Sequence, residues 1–552
     1  MISKTKIKHF SPAIVSLLKQ SGMSWEKIIS KTGKDGTVAQ LKYMMNKKYE
    51  GAEKAEAPLN IIFVPYMACF LGNNMVQVTL ARVLKERGHS VNMLIADRVL
   101  PICETTDIKS HSKRDQICSD NIKFNERFFK AAGFNILRLS ELVSDLQIDE
   151  LKVISAGNNK WDVYVESMLL RYFKVGQLDY NDPMVQEMKI RGRHAAFISE
   201  ALGKAVVKIN PDRVAFSHGT YTTRGPFKDI VNNANIPQFS ISRAKMAETQ
   251  KFNWKTPGDW WDVTSTWEKI NSTPLNNIQY KIISTYLQSR RTHEKDVMVY
   301  NFTKEEEHDA TYIKLGLSVS KKIYTLFTNV LWDAASAQRE IAFKNSVEWV
   351  IETIKWFGDN PDQQLVVRVH PAESVIGTNQ PMYELIHERI ENIPSNVLVL
   401  KPDAPVNSWS LLKITDVGLV HTSTVGMELA LEGIPCVCVS KTHYRDKGFT
   451  VDVNSKEEYF SLLRNGVSNF DTERCKEQAL KYSYLLFMRY QVPMPFFRPK
   501  THISINSFSF DNWEEVFQST GIKMITKAIE EHSDFILSDE EVYKIYGNGK
   551  VV

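Results

Sequence analysis

The apolar positions of this chain fall into two alternating registers: short unbroken runs, and longer stretches where apolar residues return every third or fourth position. The first register suits strands buried on both faces, and the second suits helices packed on one side. Leu59–Val64 is such a run. It is followed by the loop Leu71-Gly72-Asn73-Asn74, a helical stretch Met75–Glu86 closed by Gly88, and a second run, Ser90–Ala96, ending in Asp97. A long helical region, about 120–205, leads to the strand Asp212–Ser217, with His218-Gly219-Thr220-Tyr221 at its carboxyl end. Gly225-Pro226 then opens a helix before the strand Ile236–Ser240. Beyond a charged connector at about 285–320, strand and helix alternate through 323–328, 340–357, 365–369, 381–391, 397–400, 408–413, 416–420, 424–432 and 436–440. Alternation at this spacing predicts an α/β protein with parallel sheets. The pattern divides into a helical extension and linker (1–57), a first Rossmann-like domain (58–295), a second Rossmann-like domain (296–470), and C-terminal helices (471–552). The helix after Glu473 is rich in Tyr, Leu and Phe and is broken by Pro493 and Pro495; residues 510–552 read as further terminal helices.

The segment Ile414–Thr450 carries the most chemistry. Asp416–Val420 is a buried strand, His421-Thr422-Ser423-Thr424 supplies hydroxyls to cap the helix Thr424–Glu432, and Gly433 and Pro435 stop that helix before the strand Cys436–Val439. Free N–H groups and the helix dipole at such a tip favour phosphate. Gly426 would let a ligand approach the first turn, and Glu428 could accept from ribose hydroxyls. An ordinary N-cap in an α/β protein gives the same pattern.

Leu365–Val369 runs straight into His370-Pro371. The proline keeps His370 out of the helical region, so the imidazole stands at the strand's carboxyl end. The strand Ile323–Phe327 ends likewise in Thr328-Asn329, so three strands deliver polar groups to the edge where open α/β sheets bind ligands. Arg368 alternates with His370 and suits either a ligand carboxylate or a buried ion pair.

The order His370-Pro371, Ser423-Thr424, Gly426-x-Glu428, Gly433-x-Pro435, Tyr444 and Gly448-Phe449-Thr450 resembles bacterial capsule-polysaccharide glycosyltransferases, the Kdo transferases among them. It is also similar to bacterial sialyltransferases of the two-Rossmann (GT-B) type, whose HP and Ser-Ser/Thr motifs hold the phosphate of a CMP-sugar. That resemblance covers about 320–455. It implies that His370, Ser423 and Thr424 contact the donor phosphate, that Glu428 contacts the nucleoside, and that Tyr444 belongs to a loop near the cleft. The acidic motif that supplies the base in those sialyltransferases has no match here.

Bulk properties narrow the classes. The chain has 552 residues, 43% hydrophobic, and its net charge of +5 comes from 69 basic and 64 acidic residues. That balance is too mild for nucleic acid but compatible with an anionic sugar nucleotide or a membrane surface. Six cysteines, at 69, 103, 118, 436, 438 and 475, show no metal spacing, and a reducing cytoplasm is expected. MISKTKIKHF lacks signal-peptide architecture, and no run reaches the ~20 apolar residues of a membrane span. The lysines beside Phe10, Ile14 and Leu17 could touch anionic lipid at the inner membrane face, or the segment could be a helical cap.

Glycosyl transfer requires a stabilised leaving phosphate and a base for the acceptor hydroxyl. A CMP donor has one phosphate, so no metal or other cofactor is expected. The base should come from the first domain: His218 first, then Asp97, then Glu104, with Gly72, Asn73, Gly219 and Tyr221 on the acceptor side. Asp259-Trp260-Trp261-Asp262 and Trp267 form an aromatic patch that could stack on sugars or belong to a core. The expected function is transfer of a sugar, a CMP-activated ulosonic acid such as Kdo or a sialic-acid relative, to a surface-polysaccharide or glycolipid acceptor. A UDP-GlcNAc 2-epimerase-like isomerase, a glycerophosphate transferase and a non-catalytic glycan-binding component are the alternatives.

Overall fold

Residues 17–547 are described by the structure, a computed structural model, except 66–69, 98–99, 143–158, 293–295, 297–303, 334–337, 469 and 502–503. The basic stretch Lys4–Ile14 and Cys69 therefore lie outside the described residues.

The first sheet is built from β1 (Asn60–Phe63), β2 (Ser90–Ile95), β3 (Asn135–Arg138), β4 (Arg213–Phe216) and β5 (Gln238–Arg243), parallel in the order β3-β2-β1-β4-β5. β6 (Thr249–Trp254) folds back antiparallel on β5. The second sheet contains β7 (Ile323–Phe327), β8 (Gln364–Arg368), β9 (Val397–Leu400), β10 (Val417–Val420), β11 (Cys436–Cys438) and β12 (Val451–Asp452), ordered β9-β8-β7-β10-β11-β12 and parallel throughout. Both sheets thus reverse their strand order next to their first strand, between β1 and β4 and between β7 and β10. A crevice opens at the carboxyl ends of such a pair, because the crossovers leave in opposite directions.

Burial on both faces explains the unbroken apolar runs. In β1, Ile61 and Phe63 enter one core while Ile62 and Val64 enter the other, and β8 splits in the same way between Val366 and its neighbours Leu365 and Val367. One core runs continuously between the domains through Tyr482, Tyr484, Leu485 and Phe487. These residues lie on the helix Thr472–Ser483 and the π-helical turn Tyr484–Arg489 that follows it. The chain then adds β13 (Val492–Pro493) to the outer side of β6, so the last segment completes the first sheet with a seventh strand. Pro493 is tolerated because β13 is an edge.

Four features depart from the sequence pattern. β3 interrupts the expected helical region, which resolves into helices Arg114–Ala131, Asp162–Phe173 and Pro183–Ile209. β6 was not anticipated, because its buried residues include the polar Thr249, Gln250, Lys251 and Asn253. The hairpin β14 (Phe497–Thr501) and β15 (Ser504–Phe508) precedes the terminal helices. The first-domain helix begins at Leu71 rather than Met75, placing Gly72 and Asn73 inside its first turn. There Asn73 accepts from Gln77 at 2.8 Å and donates to the Ile241 carbonyl, so this asparagine fastens the helix to β5 instead of facing an open loop. Among the described residues, no helix is long and apolar enough to cross a membrane.

Candidate functional site

At the β7–β10 crevice the polar side chains first tie the loops to one another. The His370 N–H donates to Thr328 Oγ1 at 3.0 Å, and the Thr422 N–H donates to Asn329 Oδ1 at 3.2 Å. Thr328 and Asn329, both buried, therefore hold the histidine and the hydroxyl loop in register from behind. His370 Nδ1 accepts from the Ala372 N–H at 3.1 Å, which puts the ring proton on Nε2. Burial, with Arg368 and Lys245 nearby, lowers its pKa to about 4. The imidazole is thus a neutral donor at physiological pH.

The hydroxyl loop behaves differently from an ordinary cap. Thr424 has helical dihedrals (φ −64°, ψ −13°), and its side chain does not cap the helix Val425–Leu431. Its hydroxyl instead accepts from Lys245 Nζ at 2.7 Å, across the cleft from the first domain. Ser423 Oγ accepts from the Val425 N–H at 3.4 Å, and the Ser423 carbonyl accepts from the Tyr444 hydroxyl at 2.5 Å. Tyr444 is fully buried, so it shapes the loop from below and does not line the donor side. It also explains Gly426: a Cβ there would stand 2.3 Å from the Tyr444 hydroxyl, so the glycine makes room for protein rather than ligand.

Two other donor-side expectations are corrected. Arg368 is buried and donates to the carbonyls of Lys401 (2.7 Å) and Val406 (3.4 Å), bracing the loop after β9. Glu428 is buried and accepts from Arg290 at 2.5 Å, an arginine that also faces Asp296 at 3.6 Å. Its carboxylate serves as a counter-ion for the connector helix Asn277–Thr292 and is not presented to a ribose.

The opposing wall is the β1–β4 crevice. His218 takes a left-handed backbone (φ +66°), rare for a residue with a Cβ, and Gly219 follows at φ +116°. This turn sets the imidazole beside Asp259, with Nδ1 3.2 Å from Oδ2, and beside the buried ring of Tyr221 at 5.5 Å. Burial pushes the Asp259 carboxyl up, but His218, Lys251 and Arg339 outweigh it and the pKa ends below its ordinary value. Asp259 is therefore an ionised partner that orients the histidine. Glu104 is buried, accepts from the Thr223 hydroxyl, and is raised to about 7 by burial and by Cys103. Asp97, by contrast, is occupied as a cap: it accepts from the N–H (3.0 Å) and the hydroxyl of Ser140 at the end of β3. That leaves His218 as the first-domain candidate at the cleft, with Glu104 buried near it.

Sequence reasoning missed three cations. Lys245 lies in the turn between β5 and β6, Lys251 on β6, and Arg339 in the loop after β7. Lys251 sits 3.8 Å above the Trp261 ring, and Arg339 covers Trp260 at 4.5 Å while donating to the Asp259 carbonyl. Trp261 also stacks on His443 at 5.7 Å, so the aromatic patch supports the cations, whereas Trp267 belongs to the core. Among the described residues, none of the three cations forms an ion pair with a carboxylate, and burial lowers Lys245 and Lys251 to about 8 and Arg339 to about 10. Carboxylates act on them at longer range: Asp259 on Lys251 and Arg339, and Glu428 and Asp296 on Lys245. The polar run of β6 was the available signal.

Neither a protein-family model nor a curated protein sequence matches the chain. Among solved structures, it is similar to a β-Kdo 2,4-transferase from Thermosulfurimonas dismutans at 16% identity and a TM-score of 0.33, covering 50% of this chain and 81% of that one. A UDP-GlcNAc 2-epimerase from Neisseria meningitidis bound to UDP-GlcNAc is 11% identical (77% and 95% covered, TM-score 0.23). A calicheamicin glycosyltransferase is 12% identical (77% and 95%, TM-score 0.24). Likenesses this weak in identity and TM-score carry no argument about substrate or reaction. The strand orders and cross-cleft contacts of the chain itself establish an α/β protein of two Rossmann-like domains whose carboxyl edges face one another.

Proposed function

We propose that the cleft binds a nucleotide-activated sugar and transfers the sugar to a hydroxyl of a surface-polysaccharide or glycolipid acceptor. The observation that supports this most is Lys245 reaching from the first domain to the Thr424 hydroxyl of the second, beside the neutral Nε2–H of His370. In this reading these groups, with the Ser423-Thr424 loop, would contact the leaving phosphate, where charge develops as the glycosidic bond breaks. On the other wall His218, held by ionised Asp259, would take the proton from the acceptor hydroxyl as its oxygen bonds to the anomeric carbon. The nucleotide leaves with the electrons of the broken C–O bond. A single-phosphate donor suits a site with one lysine, one histidine and one hydroxyl loop, so the donor we favour is a CMP-activated ulosonic acid such as Kdo or a sialic-acid-like sugar. The acceptor, its linkage and any contact with the inner face of the membrane belong to the same proposal.

A thermal-shift comparison of CMP, CDP, UDP and GDP tests the site, followed by CMP release from CMP-Kdo with and without a glycan acceptor. Selective stabilisation by CMP, lost in His370→Ala, supports the proposal, as does CMP release that needs the acceptor. Stabilisation by UDP alone, with epimer formed from UDP-GlcNAc in the absence of acceptor, would replace transfer with isomerisation.

A further inference from the structure

Two thiols stand together behind the first-domain wall. Cys103, in the loop after β2, and Cys118, on the helix Arg114–Ala131, are 2% and 4% exposed, and their sulfurs lie 3.1 Å apart. Both are free. The loop is pinned to the same helix face: Thr105 Oγ1 accepts from Asn121 Nδ2 at 3.1 Å, and the Thr106 hydroxyl closes the turn on the Cys103 carbonyl at 2.8 Å. The next residue after Cys103 is Glu104, whose second carboxyl oxygen is buried with no hydrogen-bond partner among the described residues. Closing the gap to the ~2.05 Å of a disulfide needs about 1 Å of movement between elements that are already fastened together.

We propose that Cys103 and Cys118 are a reversible oxidation site, closing to an intramolecular disulfide that changes the charge beside Glu104 and fixes its loop. The oxidant is a peroxide. The Cys103 sulfur attacks one peroxide oxygen and the O–O bond breaks, releasing water and leaving a sulfenic acid; the Cys118 sulfur then attacks the Cys103 sulfur, the S–O bond breaks, and the hydroxyl leaves as a second water. Two S–H bonds are lost and one S–S bond is gained; the two electrons and two protons reduce hydrogen peroxide to two waters.

The two thiols divide the tasks. Hydrogen bonding from Cys118, and from Thr105, draws the Cys103 thiol towards thiolate, while Cys103 and burial push Cys118 the other way. A low-pKa sulfur with a protonated neighbour is a suitable pair for oxidation followed by resolution. Negative charge on Cys103 helps keep Glu104 protonated near neutrality, and a disulfide removes that charge. Low exposure means that oxidation follows local opening of the loop, so the expected reaction is slow and confined to this pair.

The test uses the full chain, reduced and then treated with hydrogen peroxide. The expected result is loss of two thiols per chain, one Cys103–Cys118 linked peptide on non-reducing digestion, and full recovery with dithiothreitol. Cys118→Ser should give no link and should leave Cys103 as a sulfenic acid trapped by dimedone, with an unchanged melting temperature before oxidation. The protonated-carboxyl infrared band that Glu104→Gln removes should titrate at lower pH after oxidation of the native chain. Absence of the linked peptide, or capture of the peroxide by another cysteine in preference, overturns the site. A linked chain whose Glu104 band titrates as before overturns the coupling. None of these readouts depends on nucleotide binding.

Discussion

Replacing Lys245 with methionine should make the empty protein more stable and the liganded one weaker. Burial lowers this ammonium from its ordinary 10.5 to about 8, yet Lys245 is still largely charged at pH 7. A difference of that size corresponds to ~3 kcal/mol favouring the neutral form, an upper bound on what Lys245 costs the fold. The native state disfavours the ammonium, so the penalty is complete below pH 8 and disappears as pH rises towards the unfolded value. Methionine keeps the length of the side chain and removes the charge. Its hydrogen bond to Thr424 is lost at a cost of about 1 kcal/mol, which still leaves a net gain of up to ~2 kcal/mol in urea unfolding at pH 7. Against a phosphate about 4 Å away, a unit charge at an effective dielectric near 20 contributes ~4 kcal/mol, and partial solvation brings this nearer ~3. Affinity for CMP, measured calorimetrically, should fall by ~10²-fold. In the native chain, anion affinity should decline as pH rises above 8, and this dependence should weaken in Lys245→Met, where Lys251 alone still titrates near 8. A variant that unfolds more easily and binds CMP unchanged would show that Lys245 is a latch between domains and not part of an anion site.

Asp259→Asn should lower the rate of CMP release by ~10²-fold or more while leaving the KM for donor in place, and combining it with His218→Ala should cost no more than the histidine change alone; initial rates check both. Gly426→Ala should destabilise by ~1–3 kcal/mol, because the new methyl meets the Tyr444 hydroxyl at 2.3 Å and Cys436 Sγ at 3.0 Å. In a Tyr444→Phe background that cost should shrink only in part in denaturant unfolding, since the hydroxyl contact is gone but the ring carbon Cζ still stands 2.8 Å away. Glu530 binds His89 at 2.9 Å and Arg87 at 2.7 Å. Burial alone would raise its carboxyl, but these partners hold it at about 2. Its stabilisation, ~3 kcal/mol at most, is present above the unfolded value near ~4.3 and is lost as pH falls through 2. Glu530→Gln should therefore weaken the protein at pH 7 and leave the unfolding midpoint at pH 2 unchanged.

The alternation of apolar runs with helical spacing was sufficient to predict two parallel α/β units, because a strand covered by helices on both faces has few polar positions. The same logic concealed β6, whose buried Thr249, Gln250, Lys251 and Asn253 read as a polar loop when taken in order. His370 and the Ser423-Thr424 loop could be located from sequence because proline, glycine and hydroxyl residues constrain the backbone around themselves, whatever lies across from them. Which neighbouring side chains face the ligand was beyond its reach. Glu428 and Arg368 lie among those same motifs but are turned towards Arg290 and the loop after β9. Lys245 and Asp259 carry no local signature; 179 residues separate Lys245 from the threonine it touches. Periodicity and backbone-restricting residues act over a few positions and so are written in the chain itself. Charge meets its partner only when two domains close on each other, and that pairing was decided by the tertiary structure.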